Sequence, residues 1–177
     1  MQLVTDPAEV KCLAEELEDE NWAFRNWIKL SLGPEDKRLM SLVRRLTKDV
    51  ARQIDCTLCA NCCQKAALSL DQEDMERLAS ALCLDIPALQ RTHLGQDEQG
   101  RWQLPAPCPL LDGNLCRVYD ARPSTCREYP HLHNGFQAAS IARIRNASIC
   151  PIVFNVLEGM KAKLDWPGDE EPDWLDW

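Results

Sequence analysis

At 177 residues the chain is long enough for one ordinary domain with its own hydrophobic core, and short of two. Apolar residues make up 45% and charged residues 27%, a globular balance, and no stretch approaches the roughly 18 uninterrupted apolar residues of a membrane helix. The net charge of −8 argues against duplex nucleic acid, whose phosphates need a net basic face, but it sits at the ends: residues 6–20 carry −6 and residues 165–177 another −6, leaving +4 between them.

The first residues, MQLVTDPAEVK, hold neither a basic n-region nor an apolar h-region, so a cytoplasmic location is expected. Asp6-Pro7-Ala8-Glu9 reads as a helix start, with an oxygen cap, a proline at the first position and an early acid. Val10, Leu13, Ala14, Leu17, Phe24, Trp27 and Ile28 follow at helical spacing, with a break expected near Glu20-Asn21. Gly33-Pro34 ends that stretch, and a second helix is expected from Pro34, lining Leu39, Leu42, Val43, Leu46, Val50 and Ile54 along one face. Arg44, Arg45, Lys48 and Arg52 lie opposite, and such a run is usually a solvated face. Beyond Cys56, residues 66–70 suit a strand, and Asp71 caps a helix carrying Met75, Leu78, Ala79 and Leu82. A short helix follows Asp85-Ile86-Pro87, residues 96–100 form a polar turn, residues 101–104 suit a strand, and Asp112-Gly113 is a hairpin signal. Pro151 opens a closing helix whose stripe is Val153, Val156, Leu157, Met160 and Leu164. The expected organisation is a helical arm over 1–54, a cysteine core over 55–151, and a closing helix with an acidic, Trp-rich tail over 152–177. Together these make one small, mostly α domain with a short β-hairpin, built around a cysteine-ligated metal centre.

Ten cysteines in a chain with no legible export signal favour metal over a disulfide framework. The strongest feature is Cys56-x-x-Cys59-x-x-Cys62-Cys63, followed by Cys108, Cys116, Cys126 and Cys150. Two-residue spacing lets a turn aim successive sulfurs at one centre, and thiolates near neutral pH call for a cation. These eight are the expected metal ligands. Vicinal Cys62 and Cys63 diverge on helix or strand, so they are expected to serve two centres or to include one spectator. Cys12 and Cys83 fall in predicted helices and read as small core hydrophobes. Arg117, Arg122 and Arg127 flank ligand cysteines and suit charge compensation, with exposed surface arginine as the plain alternative. Tyr119 and Tyr129 suit packing at the site, while His131 and His133 read as solvent-facing and stay out of the ligand set.

The run C-x-x-C-x-x-C-C, the later Cys108-Pro109-Leu110-Leu111 and the block from Cys116 through Arg122-Pro123-x-x-Cys126-Arg127-x-Tyr129-Pro130 resemble the YkgJ-type cysteine-cluster family, a family described as chelating zinc or iron. The resemblance spans roughly Asp55 to Pro151. It implies that Cys56, Cys59, Cys62, Cys63, Cys108, Cys116 and Cys126 are motif cysteines and that Cys150 matches a later, more variable one. A similar cluster in flagellin lysine methylases makes a role in protein modification conceivable.

The spacing bears on the metal. Zinc ribbons present two C-x-x-C knuckles and this chain has one, whereas Cys56, Cys59 and Cys62 have ferredoxin-like spacing and Cys108-Pro109 and Cys150-Pro151 supply remote Cys-Pro pairs. A [4Fe–4S] cluster is favoured, with zinc as the alternative. The leading expectation is a metal-binding protein with a structural, redox or carrier role. An enzyme related to the methylases is a second reading, but there is no glycine-rich nucleotide loop and no C-x-x-x-C-x-x-C pattern, so catalysis is left open. A third is an adaptor that recognises a protein partner through its acidic ends; Trp166, Trp174 and Trp177 suit docking into a basic groove, with a disordered, solubilising tail as the plainer reading. A protein partner is expected, and neither nucleic acid nor membrane.

Overall fold

Asp6 caps the first helix as its sequence suggests, accepting from the N–H groups of Ala8 and Glu9 at 3.0 and 2.9 Å. The structure, a computed structural model, describes residues 2–33, 36–132 and 140–168. Helix α1 spans Pro7–Glu16 and α2 spans Glu18–Ser31. The break falls at Leu17, ahead of the expected Glu20-Asn21, because Glu18, Asp19 and Glu20 stabilise the positive end of a new helix. Helix α3 spans Lys37–Ala51 and starts later than expected, where the Asp36 carboxylate accepts from the Leu39 N–H at 2.7 Å; Pro34 lies outside the described residues.

Then follow α4 (Cys56–Cys59), α5 (Asn61–Lys65), β1 (Leu68–Ser69), α6 (Gln72–Ala81), α7 (Ile86–His93), β2 (Gly95–Gln96), β3 (Trp102–Leu104), β4 (Leu111–Asp112) and β5 (Leu115–Cys116). After a 3₁₀ turn at Tyr119–Ala121 come α8 (Ser124–Glu128), α9 (Ser140–Ala147) and α10 (Pro151–Lys161). The fold is mostly α with a few short antiparallel strands. No helix among the described residues is long and apolar enough to cross a membrane.

Two compact units result: Met1–Ile54 with Pro130–Trp177, and Asp55–Tyr129. The first unit is helical. Its centre is α10, buried from Pro151 to Leu157 and again at Gly159 and Met160, so a helix expected to bury one stripe is enclosed nearly all round. Helix α3 packs on it through Leu39, Leu42, Val43 and Val50, with Leu46 so close that a Cβ at Gly159 would meet its Cδ2 at 3.1 Å. Buried Asn155 holds the start of the chain at Val4 by two hydrogen bonds: its amide donates to the Val4 carbonyl at 2.7 Å and its oxygen accepts from the Val4 N–H at 3.0 Å. Helix α9 was not legible in the sequence; it is short, and its buried positions include Arg143. On α3 the side chains of Arg44, Arg45 and Lys48 are exposed, the solvated face expected.

In the second unit β1, β3 and β2 pair in that order, all antiparallel, with Leu68 opposite Leu104 and Gln96 opposite Trp102. Leu70, Met75, Leu78, Leu89, Leu104 and Leu110 form its core beneath this sheet. Strands β4 and β5 pair Asp112 with Leu115, so the loop is Gly113-Asn114, one residue beyond the Asp-Gly step, with Gly113 at φ +57° where an L side chain is disfavoured.

Candidate metal centre

The cysteine run folds as two short helical turns. The Asp55 carboxylate caps α4 by accepting from the Thr57 N–H at 2.8 Å and its hydroxyl at 2.6 Å. Between Cys59 and the second turn, buried Ala60 takes φ +47°, a left-handed conformation that costs an alanine roughly 1 kcal/mol. That reversal turns α5 away from the line of α4. Asn114 clamps the hairpin to the first turn, its amide donating to the Leu58 carbonyl at 2.6 Å, and the Cys108 N–H donates to the Cys63 carbonyl at 2.8 Å. Cys126 arrives on α8. The buried carboxylate of Asp74, from α6, fixes that helix by accepting from the Ser124 N–H at 2.9 Å and its hydroxyl at 3.1 Å, while Arg77 pairs with it at 3.0 Å. Asp74 passes in the sequence for an ordinary acid in a first helical turn, and nothing in its spacing announces this role.

These elements enclose a cavity of about 290 Å³ lined by Cys56, Cys62, Cys63, Cys108, Cys116 and Cys126, with Arg122, Arg127, Tyr119 and Tyr129. Cys62 and Cys63 face the same cavity, against the expectation that they diverge, because it extends along the side of α5. Cys59 is half-buried beside Cys56 but is not part of the lining. Cys150 is buried in the helical unit, at the N-cap of α10. The structure thus gathers six of the eight expected ligands. Cys12 and Cys83 are both exposed, which corrects their reading as core hydrophobes. Cys12 faces solvent with its thiol donating to Glu16 at 3.4 Å; Cys83, at φ +56°, ends α6 in the left-handed position usual for glycine, with the Leu84 N–H on the Ala79 carbonyl at 2.9 Å. His131 belongs to the helical unit, and its carbonyl accepts from Arg143; His133, Trp174 and Trp177 lie outside the described residues.

The thiols feel one another strongly. A hydrogen bond from Cys62 and the charge of Arg122 bring Cys63 down to about 7 against the effect of burial. Burial pushes Cys126 up to about 12, with Cys63, Cys108 and Cys116 adding to it and Arg122 opposing. Cys108 is raised by burial and by Cys63 and Cys116, and Cys56 by burial, Cys59 and Asp55. The Arg122 guanidinium lies 3.5 Å from the centroid of the Tyr119 ring and donates to the Tyr119 carbonyl at 2.8 Å, which holds its charge at the cavity. Arg117 donates to the Pro109 carbonyl at 3.0 Å and lowers Cys108. Such crowding of half-buried thiols is eased when a cation replaces their protons.

Comparison with protein families matches residues 55–151, more than half of the chain, to the family described as "CxxCxxCC: Putative zinc- or iron-chelating domain". The chain belongs to that family. The CxxCxxCC match carries the whole cavity, from the cap of α4 to Tyr129, and establishes metal chelation as the domain's class of function. No curated protein and no solved structure matches the chain.

The donor set suits either zinc or iron, since every cavity ligand is a sulfur and arginine supplies the compensating charge. Among the described residues, however, no three His, Cys, Asp or Glu side chains are arranged to hold a metal ion at one point. The cavity cysteines stand around a shared space.

Proposed function

We propose that this chain is an iron–sulfur protein, with a [4Fe–4S] cluster held by the cavity cysteines in a redox or cluster-carrying role. The supporting observation is the width of the site. Four thiolates on one zinc ion at about 2.3 Å bring their sulfurs within roughly 3.8 Å of each other. Six cysteines set around about 290 Å³, with no three of them closed on a point among the described residues, favour a group that spans the space. Of the ferredoxin-like run Cys56, Cys59 and Cys62, the first and third line the cavity, as does Cys108 of the Cys108-Pro109 pair. When bound, such a cluster supplies one-electron transfer. The chain's own residues contribute the sulfur ligands, the counter-charge of Arg122 and Arg127, and partial exclusion of water by Leu104, Leu110 and Val118.

Oxygen-free purification followed by optical, iron and sulfide analysis tests the proposal. A brown protein with acid-labile sulfide supports it; a colourless, zinc-loaded protein overturns the cluster in favour of a thiolate zinc site.

A further inference from the structure

Helix α3 carries a charge pattern that its own fold leaves unbalanced. Residues 37–52 hold six cations and a single acid, Asp49. Lys37, Arg38, Arg44, Arg45, Lys48 and Arg52 are all exposed, and among the described residues none of them forms an ion pair. Arg44 and Lys48 stand four residues apart, as do Lys48 and Arg52, a spacing at which like charges repel along a helix. Asp36 caps the helix, yet Lys37 and Arg38 follow at once and put two cations at its positive end. A merely solvated face intersperses both signs, as α6 does with Glu73 and Arg77. The apolar side of α3 is buried on α10, so the basic side is the one left for a partner, and its chemistry calls for a concentrated anionic surface.

The same helical unit displays such a surface. Glu15, Glu16, Glu18, Asp19 and Glu20 crowd the junction of α1 and α2, and the last turn of α1 holds no basic residue. Lys11 pairs with Glu15 and Lys161 with Glu20, but Glu16, Glu18 and Asp19 are exposed and have no cation partner among the described residues. Both α1 and α3 pack on α10, and no ion pair among the described residues joins the acidic junction to the basic face within one copy. We infer that the basic face of α3 docks the acidic α1–α2 junction of a second copy of this chain, so that two copies pair by exchanging faces of opposite sign. A two-fold axis makes the contact twice, once in each direction, and closes the pair. Nucleic acid fits less well, because its phosphates would meet the acidic junction of the same unit. Exposed ion pairs are individually weak, so the pair is expected to be a concentration-dependent, salt-sensitive dimer. The inference does not depend on what the cavity holds.

Full-length protein, purified without oxygen, is followed by sedimentation velocity across a range of concentrations in dilute buffer and at about 1 M salt, where the screening length falls to about 3 Å. The expected result is a dimer in dilute buffer that dissociates at high salt. Arg44→Glu/Lys48→Glu and Glu16→Lys/Asp19→Lys should each weaken it by about tenfold or more, with circular dichroism and metal content as in the wild type. An equimolar mixture of the two variants should recover wild-type association, since each then offers the sign that the other lacks. Arg44→Gln/Lys48→Gln, which removes charge without reversing it, should give a smaller loss. A wild type that stays monomeric throughout, association indifferent to salt or to either charge reversal, or a mixture that fails to associate overturns the pairing. So does a wild type that binds a fluorescent DNA duplex through Arg44 and Lys48 without associating with itself.

Discussion

Arg122 is the cavity's most influential single charge, since it favours the thiolates of Cys56, Cys63 and Cys126 together. Arg122→Gln is expected to weaken metal retention by about tenfold or more, as losses of groups around metal ligands commonly do, measured by competition with a chelator. In metal-free protein, Cys63 at about 7 lies below the ordinary thiol value of about 8.5, so its alkylation should reach half-maximum near pH 7 and shift upward in Arg122→Gln. A midpoint at the ordinary value in the wild type contradicts the assigned contact. The stability consequences have opposite signs. Cys63, lowered on folding, contributes above the unfolded pKa and loses that contribution as pH falls through about 7. Cys126, raised to about 12, contributes below the unfolded pKa and loses it progressively as pH rises beyond. Metal-free protein is therefore expected to destabilise at alkaline pH, read by thermal unfolding across pH, and a bound metal should remove that dependence. Asp74→Ala severs charge-assisted hydrogen bonds to Ser124 and leaves Arg77 without its buried partner. It should cost about 2–3 kcal/mol in the unfolding free energy of loaded protein and loosen Cys126.

At the scale of elements, the left-handed Ala60 is what folds C-x-x-C-x-x-C-C into two turns instead of one continuous helix. Ala60→Val places a β-branched side chain in that region, and the loaded protein should lose metal; Ala60→Gly should retain it. Asn155→Ala, by contrast, frees the segment at Val4 from α10 and should cost about 2 kcal/mol of stability without changing metal content. The same contrast shows what the sequence made legible. Caps and periodicity marked α1, α3, α6, α7 and α10 because Asp6, Asp71, Asp85 and the apolar stripes act locally. Helix α9 escaped notice because eight residues give little periodicity and part of its buried face is Arg143. The exposure of Cys83 escaped because the residue type said core, while the helix end demanded a left-handed position there.

For the whole molecule, the cysteine motif announced the chemistry, and membership of the CxxCxxCC family supports it; distances between remote cysteines were beyond spacing alone. The pairing of Cys63 with Cys108 and the anchoring of Cys126 depend on the β4–β5 hairpin and on Asp74, which are tertiary contacts. The helical unit has its own buried core around α10, whereas the Asp55–Tyr129 unit is organised around its sulfurs as well as its leucines. Chelation of the metal should therefore raise amide hydrogen exchange over residues 55–129 and leave α3 and α10 protected. The most direct measurement is iron and sulfide per chain in protein purified without oxygen, taken alongside Cys126→Ser. The account predicts about four iron and four sulfide in the wild type and their loss in the variant; a wild type that carries zinc without sulfide, or folds normally with no metal, would contradict it.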